Sequence, residues 1–174
     1  EKIQQAASQG CGAVCFPELS LTAYTCGDLF KDRTLLAGAE SALASLLEDT
    51  AGLDILCAVG VPVPWQGALY NCAAVFHKGR LLGLSAKTYI PNYSEFYEAR
   101  HFTAAPQPME VTFAGQKTWL GQGLLYCCEN VPDLLVGVEI CEDLWSPLPP
   151  SVSLALNGAT VILNPSCSDE TIGK

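Results

Sequence analysis

Three side chains able to take part in acyl transfer stand where apolar runs stop. Glu18 follows Val14-Cys15-Phe16-Pro17, Lys87 follows Leu82-Gly83-Leu84-Ser85-Ala86, and Cys141 follows Val136-Gly137-Val138-Glu139-Ile140. If each run is a strand, all three residues sit at carboxyl ends, where open α/β sheets form the crevice that binds ligands. A thiol, an acid and an amine gathered there make a nucleophile, a base and an electrostatic partner. Cys141 would attack a carbonyl carbon as its thiolate. Glu18 would take the thiol proton and later return it to a leaving group, and Lys87 would stabilise negative charge developing on oxygen. Each residue also has a plainer reading, since a strand-end Glu or Lys is usually solvated and a Cys usually belongs to the core.

The elements that must position these groups follow from hydrophobic spacing and chain breakers. Residues 1–9 read as an amphipathic helix stopped by Gly10 and Gly12, and 13–16 as a short strand ended by Pro17. Asp28 is a plausible N-cap for a long surface helix reaching Gly52, with Leu29, Leu35, Leu36, Leu43, Leu46 and Leu47 near helical spacing. Residues 54–61, 69–76 and 81–85 read as strands, the last two forming a hairpin across Lys78-Gly79. Further strands are expected at 124–128, 134–138 and 160–163, with a helix at 152–156 ending at Asn157-Gly158. The order is that of an α/β fold whose strands, apolar throughout, are covered on both faces.

Composition narrows the function. Nine Lys and Arg against eighteen Asp and Glu leave a formal charge of −9, which argues against a phosphate-backbone ligand and so against nucleic acid. The uncharged stretches 55–76 and 144–168 are interrupted by prolines and by Asn71 or Asn157-Gly158, so neither reads as a membrane span. No charged segment precedes an apolar one at the start, and the expected location is the cytoplasm. The chain opens on Glu1 rather than Met and reads as part of a longer protein, 1–174 being one partial domain. Nine cysteines without a C-x-x-C spacing favour neither a disulfide framework nor zinc, and no metal is expected. Cys11, Cys15, Cys127 and Cys128 are read as buried thiols.

Three blocks carry a resemblance. Phe16 to Tyr24, Lys87 to Glu98 and Gly137 to Trp145 resemble, in order and spacing, the signature blocks of the nitrilase, or carbon–nitrogen hydrolase, superfamily. Within it the chain is most similar to the glutaminase domains of glutamine-dependent NAD synthetases. Four stretches carry that similarity: 24–30, 91–100, 141–145 and the closing 164–174, which opens on Asn164-Pro165-Ser166-Cys167-Ser168. The resemblance implies a four-layer α-β-β-α sandwich, here incomplete at both ends. It also implies Cys141 as nucleophile, Glu18 as general base, Lys87 at the oxyanion, and Glu95 as an additional glutamate beside the nucleophile. Tyr24, Tyr93, Glu142, Trp145 and Ser168 would frame the substrate, and the Glu142 N–H would help hold the oxyanion.

The implied reaction is hydrolysis of L-glutamine through a cysteine thioester, with the released ammonia amidating deamido-NAD. The hydrolytic step needs no cofactor. No Ser-Gly-Gly-x-Asp-Ser pyrophosphate loop occurs in these residues, so ATP and magnesium would belong to a synthetase domain elsewhere in the protein. That domain is the expected partner, and the intact protein is expected to be a homo-oligomer. Two other readings stay open on sequence: a free-standing amidase or carbamoylase acting on another small amide, and a catalytically silent binding or assembly module of the same fold.

Overall fold

The computed structural model describes residues 1–168 and residue 172. Three helices, α1 (Lys2–Ser8), α2 (Arg33–Asp49) and α3 (Pro150–Leu156), accompany two main sheets. The larger sheet has the order β1-β2-β3-β4-β8-β7, and the smaller the order β11-β10-β9. Their strands are β1 (Ala13–Cys15), β2 (Leu56–Trp65), β3 (Ala68–His77), β4 (Arg80–Ala86), β7 (Met109–Phe113), β8 (Gln116–Gly121), β9 (Leu125–Cys127), β10 (Leu135–Val138) and β11 (Val161–Leu163). A two-stranded ribbon, β5 (Asn92–Tyr93) and β6 (Phe96–Tyr97), stands apart.

The layers follow from the alternation of side chains along β2 and β3. One face of these strands, with Cys57, Val59, Val61, Cys72, Ala74 and Phe76, packs under Ile3 of α1 and Ala39, Leu43 and Leu47 of α2. The other, with Ala58, Ala73 and Val75, meets Tyr126, Val136, Val138 and Ile140 of the smaller sheet. On the far side of that sheet Leu154 of α3 lies against Gly137, where an added Cβ would meet its Cδ1 at 3.0 Å. The result is a helix–sheet–sheet–helix stack. A strand with one apolar set per face needs such covering on both sides.

One expected turn forms as read, and several other elements differ from the sequence expectation. The hairpin across Lys78-Gly79 forms with both turn residues at positive φ, 49° and 75°, as a two-residue turn requires. The 109–121 hairpin, invisible to an apolar-run search, alternates exposed Glu110, Thr112, Lys117 and Trp119 with buried Val111, Phe113, Thr118 and Leu120. It joins the sheet through parallel pairing of β8 with β4. The long helix begins at Arg33, not near Asp28. Asp32 is its cap, accepting from Thr34 N at 2.6 Å, while Tyr24–Lys31 is an irregular 3-10 segment broken by Gly27 at φ 56°. Asp28 instead pairs with Arg100. Among the described residues none of the nine cysteines is in a disulfide, and of the four expected to be buried Cys11, Cys15 and Cys127 are exposed and Cys128 is half-buried. They lie at strand or helix ends rather than in the sheet interior, which is taken by Cys57 and Cys72.

Candidate active site

Glu18 reaches the site because the chain after β1 crosses directly over β2. Leu21 N donates to Gly60 O at 3.0 Å and Gly60 N donates to Ser20 Oγ at 3.1 Å. A Cβ on Gly60 would lie 2.1 Å from Leu19 N and 2.7 Å from the Glu18 carbonyl carbon, so only glycine lets the Pro17–Leu21 turn lie this close. Leu19, at φ 51° and fully buried, anchors that turn.

Lys87 is set by the strand that precedes it and by β3. Its N–H donates to Asn71 O at 2.8 Å, while the Asn71 side chain donates to Glu18 Oε1 at 2.7 Å. One residue therefore registers both the amine and the acid. Asn71 is a functional residue that the motif reading missed; its signal was a lone amide inside an apolar run, which burial permits only when it is hydrogen-bonded.

The Lys87 ammonium, wholly buried, donates to Glu18 Oε1 and to Glu98 Oε1, each at 2.7 Å. Burial alone would lower the Lys87 pKa, but the two carboxylates outweigh it and hold the amine above its ordinary range. Burial pushes the Glu98 carboxyl upward, against the pull of Lys87, and Glu18 adds to the rise. Glu98 also accepts from Tyr24 Oη at 2.7 Å. The second carboxylate at the Lys87 ammonium is thus Glu98, which is 6% exposed. Glu95 lies exposed at the turn between β5 and β6. The two glutamates stand three residues apart, and the motif match, eight residues after Lys87, picks out Glu95 alone.

Cys141 opens a 3-10 turn, Cys141–Trp145, and adopts φ 48°, a conformation strained for a residue with a Cβ. That turn aims a partly buried thiol at the acid. Burial pushes the Cys141 thiol upward; Glu18 pushes the same way, Lys87 opposes it, and the Cys167 N–H bonds to the sulfur. Glu18 Oε2 is buried without a well-formed hydrogen bond. Glu18 nevertheless acts on the Cys141 thiol both as a charge and as a side-chain hydrogen-bond partner. The arrangement sets the Cys141 thiol beside the carboxylate expected to take its proton.

The remaining sequence candidates line the outer side. Tyr93 Oη donates to Glu142 Oε2 at 2.8 Å, which raises the Tyr93 pKa. Tyr93 and Trp145 are 54% and 74% exposed, and Ser168 is exposed after β11. Tyr24 points its hydroxyl at Glu98 rather than outward. Among the described residues no group of three or more His, Cys, Asp or Glu side chains could hold a metal ion, and no described helix is long and apolar enough to cross a membrane. Chemically, the assembly offers a thiol, an acceptor for its proton, and a buried cation poised for an oxyanion.

A family model described as carbon–nitrogen hydrolase matches residues 1–174. The glutamine-dependent NAD(+) synthetase of Mycobacterium bovis is 39% identical over 168 residues, 95% of this chain and 24% of that protein. Its namesake from Aquifex aeolicus is 34% identical over 161 residues, 92% of this chain and 25% of that one. The crystal structure of a glutamine-dependent NAD(+) synthetase from Cytophaga hutchinsonii is similar at a TM-score of 0.80 and 34% identity, covering 99% of this chain and 27% of that one. A carbon–nitrogen hydrolase from Helicobacter pylori, with a TM-score of 0.74 at 21% identity, shares the fold over 99% of this chain and 55% of its own. The chain spans about a quarter of the length of the synthetases it matches.

Proposed function

Because this chain belongs to the carbon–nitrogen hydrolase family, we propose that it is the glutamine-hydrolysing part of a glutamine-dependent NAD synthetase. The observation that carries the reading is the wholly buried Lys87 ammonium, shared by Glu18 and Glu98 beside the Cys141 turn. A cation buried with two carboxylates is costly to build and serves a site where charge appears on oxygen during the reaction.

In the proposed reaction the Cys141 sulfur attacks the side-chain amide carbon of glutamine as its proton passes to Glu18. The oxyanion forms against Lys87 and the Glu142 N–H. The C–N bond breaks, Glu18 returns the proton to the departing ammonia, and a γ-glutamyl thioester remains on Cys141. Water, deprotonated by Glu18, then attacks the thioester carbon; the C–S bond breaks, glutamate is released, and the departing Cys141 sulfur takes the proton back from Glu18. Glu98, held by Tyr24 Oη, orients the Lys87 ammonium. Tyr93, Glu142, Trp145 and Ser168 would contact the substrate from the exposed side, and Glu95, near Tyr93, would contribute there rather than beside Lys87. No cofactor enters this step. ATP and magnesium belong, on this reading, to a synthetase domain in the remainder of a cytoplasmic, homo-oligomeric protein.

The test is Cys141→Ala in the full-length protein. Glutamine-supported NAD formation is expected to vanish while ammonia-supported formation continues; loss of both, or retention of both, overturns the proposal.

A further inference from the structure

Asp143 lies two residues beyond the nucleophile and is 1% exposed, yet it enters no step of the reaction. Its carboxylate spans two segments that are far apart in sequence. Oδ1 accepts from Tyr89 N at 2.8 Å and Thr88 N at 3.0 Å, the two residues that follow Lys87. Oδ2 accepts from Ile140 N at 2.9 Å, the residue that precedes Cys141, with Thr88 N more distant at 3.4 Å. One oxygen thus holds the Lys87 strand end and the other holds the Cys141 turn. Asp143 N closes the same turn by donating to Ile140 O at 3.0 Å.

We propose that Asp143 is a positioning residue that clamps the strained Cys141 turn to the backbone of the Lys87 loop, fixing the sulfur relative to the ammonium that receives the oxyanion. Cys141 at φ 48° would relax unless its surroundings over-determine it, and the Ile140 and Asp143 bonds bracket that residue. Every donor to this carboxylate is a backbone N–H, so the clamp requires an acceptor on both sides. An amide of the same size supplies one acceptor and turns its own N–H groups toward a donor on the other. Asp143→Asn therefore cuts one link while preserving volume, and misplacement of the attacking atom by about 1 Å costs about 100-fold in rate.

This inference rests on the proposed acyl-transfer chemistry but is tested separately from its substrate. In the full-length protein, wild-type turnover of glutamine decides the functional proposal. The ratio of variant to wild type, read on whichever small amide the wild-type protein hydrolyses, decides this one. Asp143→Asn is expected to lower kcat about 10- to 100-fold with KM changed less than about threefold. Alkylation of Cys141 by iodoacetamide, which needs the thiolate but no oxyanion site, is expected to continue at a comparable rate. Ser146→Ala removes the Ser146 Oγ bond to Asp143 O in the same turn without touching the carboxylate, and should leave kcat unchanged. If Asp143→Asn does not fold, replacing Tyr89 by its α-hydroxy acid deletes only the N–H that donates to Oδ1, and a several-fold fall in kcat is expected. A folded Asp143→Asn protein with wild-type kcat, a loss carried wholly by KM, or an unaffected Tyr89 ester overturns the clamp.

Discussion

Two ion-pair sites with nearly equal distances do different work. Lys87 meets Glu18 and Glu98 at 2.7 Å with all three side chains out of solvent. Arg100 meets Asp28 with a two-pronged fork at 2.9 Å, and both side chains are more than half exposed. By geometry alone the Arg100 fork is the better-made pair. Water screens it, so it pins the 3-10 segment Tyr24–Lys31 to the loop after β6 at little energetic consequence. Around Lys87 no such screening exists: removal of any member strands a charge in the interior. The buried cluster is therefore conditional on its completeness, whereas the exposed fork is nearly optional. Chemistry can be built only on the first.

Breaking that contrast begins with Lys87→Met. With no cation between them, Glu18 and Glu98 face one another buried, and turnover should be lost altogether. Stability should fall by about 3–5 kcal/mol in denaturant unfolding; a stable, active variant would show that the cluster is not what the comparison says.

Glu18→Gln comes next. A general base contributes about 100- to 10,000-fold, and turnover should fall within that span. Glu18 is also the largest charge raising the Cys141 thiol, so the midpoint of Cys141 alkylation against pH should move downward in the same variant. A more ionised sulfur in a slower enzyme would separate the proton-accepting role of Glu18 from its electrostatic one.

A smaller effect concerns pH. Burial holds the Asp143 carboxyl up at about 6 against an ordinary 3.8, despite the backbone N–H groups that favour its ionised form. The folded protein then keeps this proton between about pH 4 and 6 while the unfolded chain has released it. The group's stabilising contribution is full below about pH 4 and lost as pH rises through 6. Relative to Asp143→Asn, the wild-type protein should lose up to about 3 kcal/mol across that window. Parallel unfolding curves for the two proteins from pH 4 to 7 would refute it.

The smallest effect is expected from Arg100→Ala. Its fork is exposed, so the melting temperature should scarcely move, and any change should shrink further in high salt, as thermal unfolding at two ionic strengths would record. A large loss of turnover there would mean that the exposed fork positions the site after all.

How much of this was legible beforehand depends on how local each signal was. The strand ends bearing Glu18, Lys87 and Cys141 were read from mostly apolar runs. The hairpin of β3 and β4 was read from a Lys78-Gly79 turn whose φ values need little outside help. The 109–121 hairpin was missed because its buried residues alternate with charged ones on a face open to water, leaving no continuous run to find. The start of α2 was misplaced because Asp28 and Asp32 are both good caps by type. Gly27 and the Arg100 fork remove Asp28 from that role, and the fork spans 72 residues.

The sequence by itself determined an α/β order of elements and three reactive side chain types at strand ends, because apolar periodicity and turn chemistry act over a few residues; the four-layer stacking was implied only by the family resemblance. Only the tertiary structure decided that Glu98 rather than Glu95 meets Lys87, that Asn71 registers acid against amine, and that Asp143 joins the Lys87 loop to the Cys141 turn. The Asn71–Glu18 and Tyr89–Asp143 bonds connect segments more than 50 residues apart. Which of two nearby carboxylates is buried depends on how the layers close, and that closure is a property of the whole chain rather than of any stretch of it.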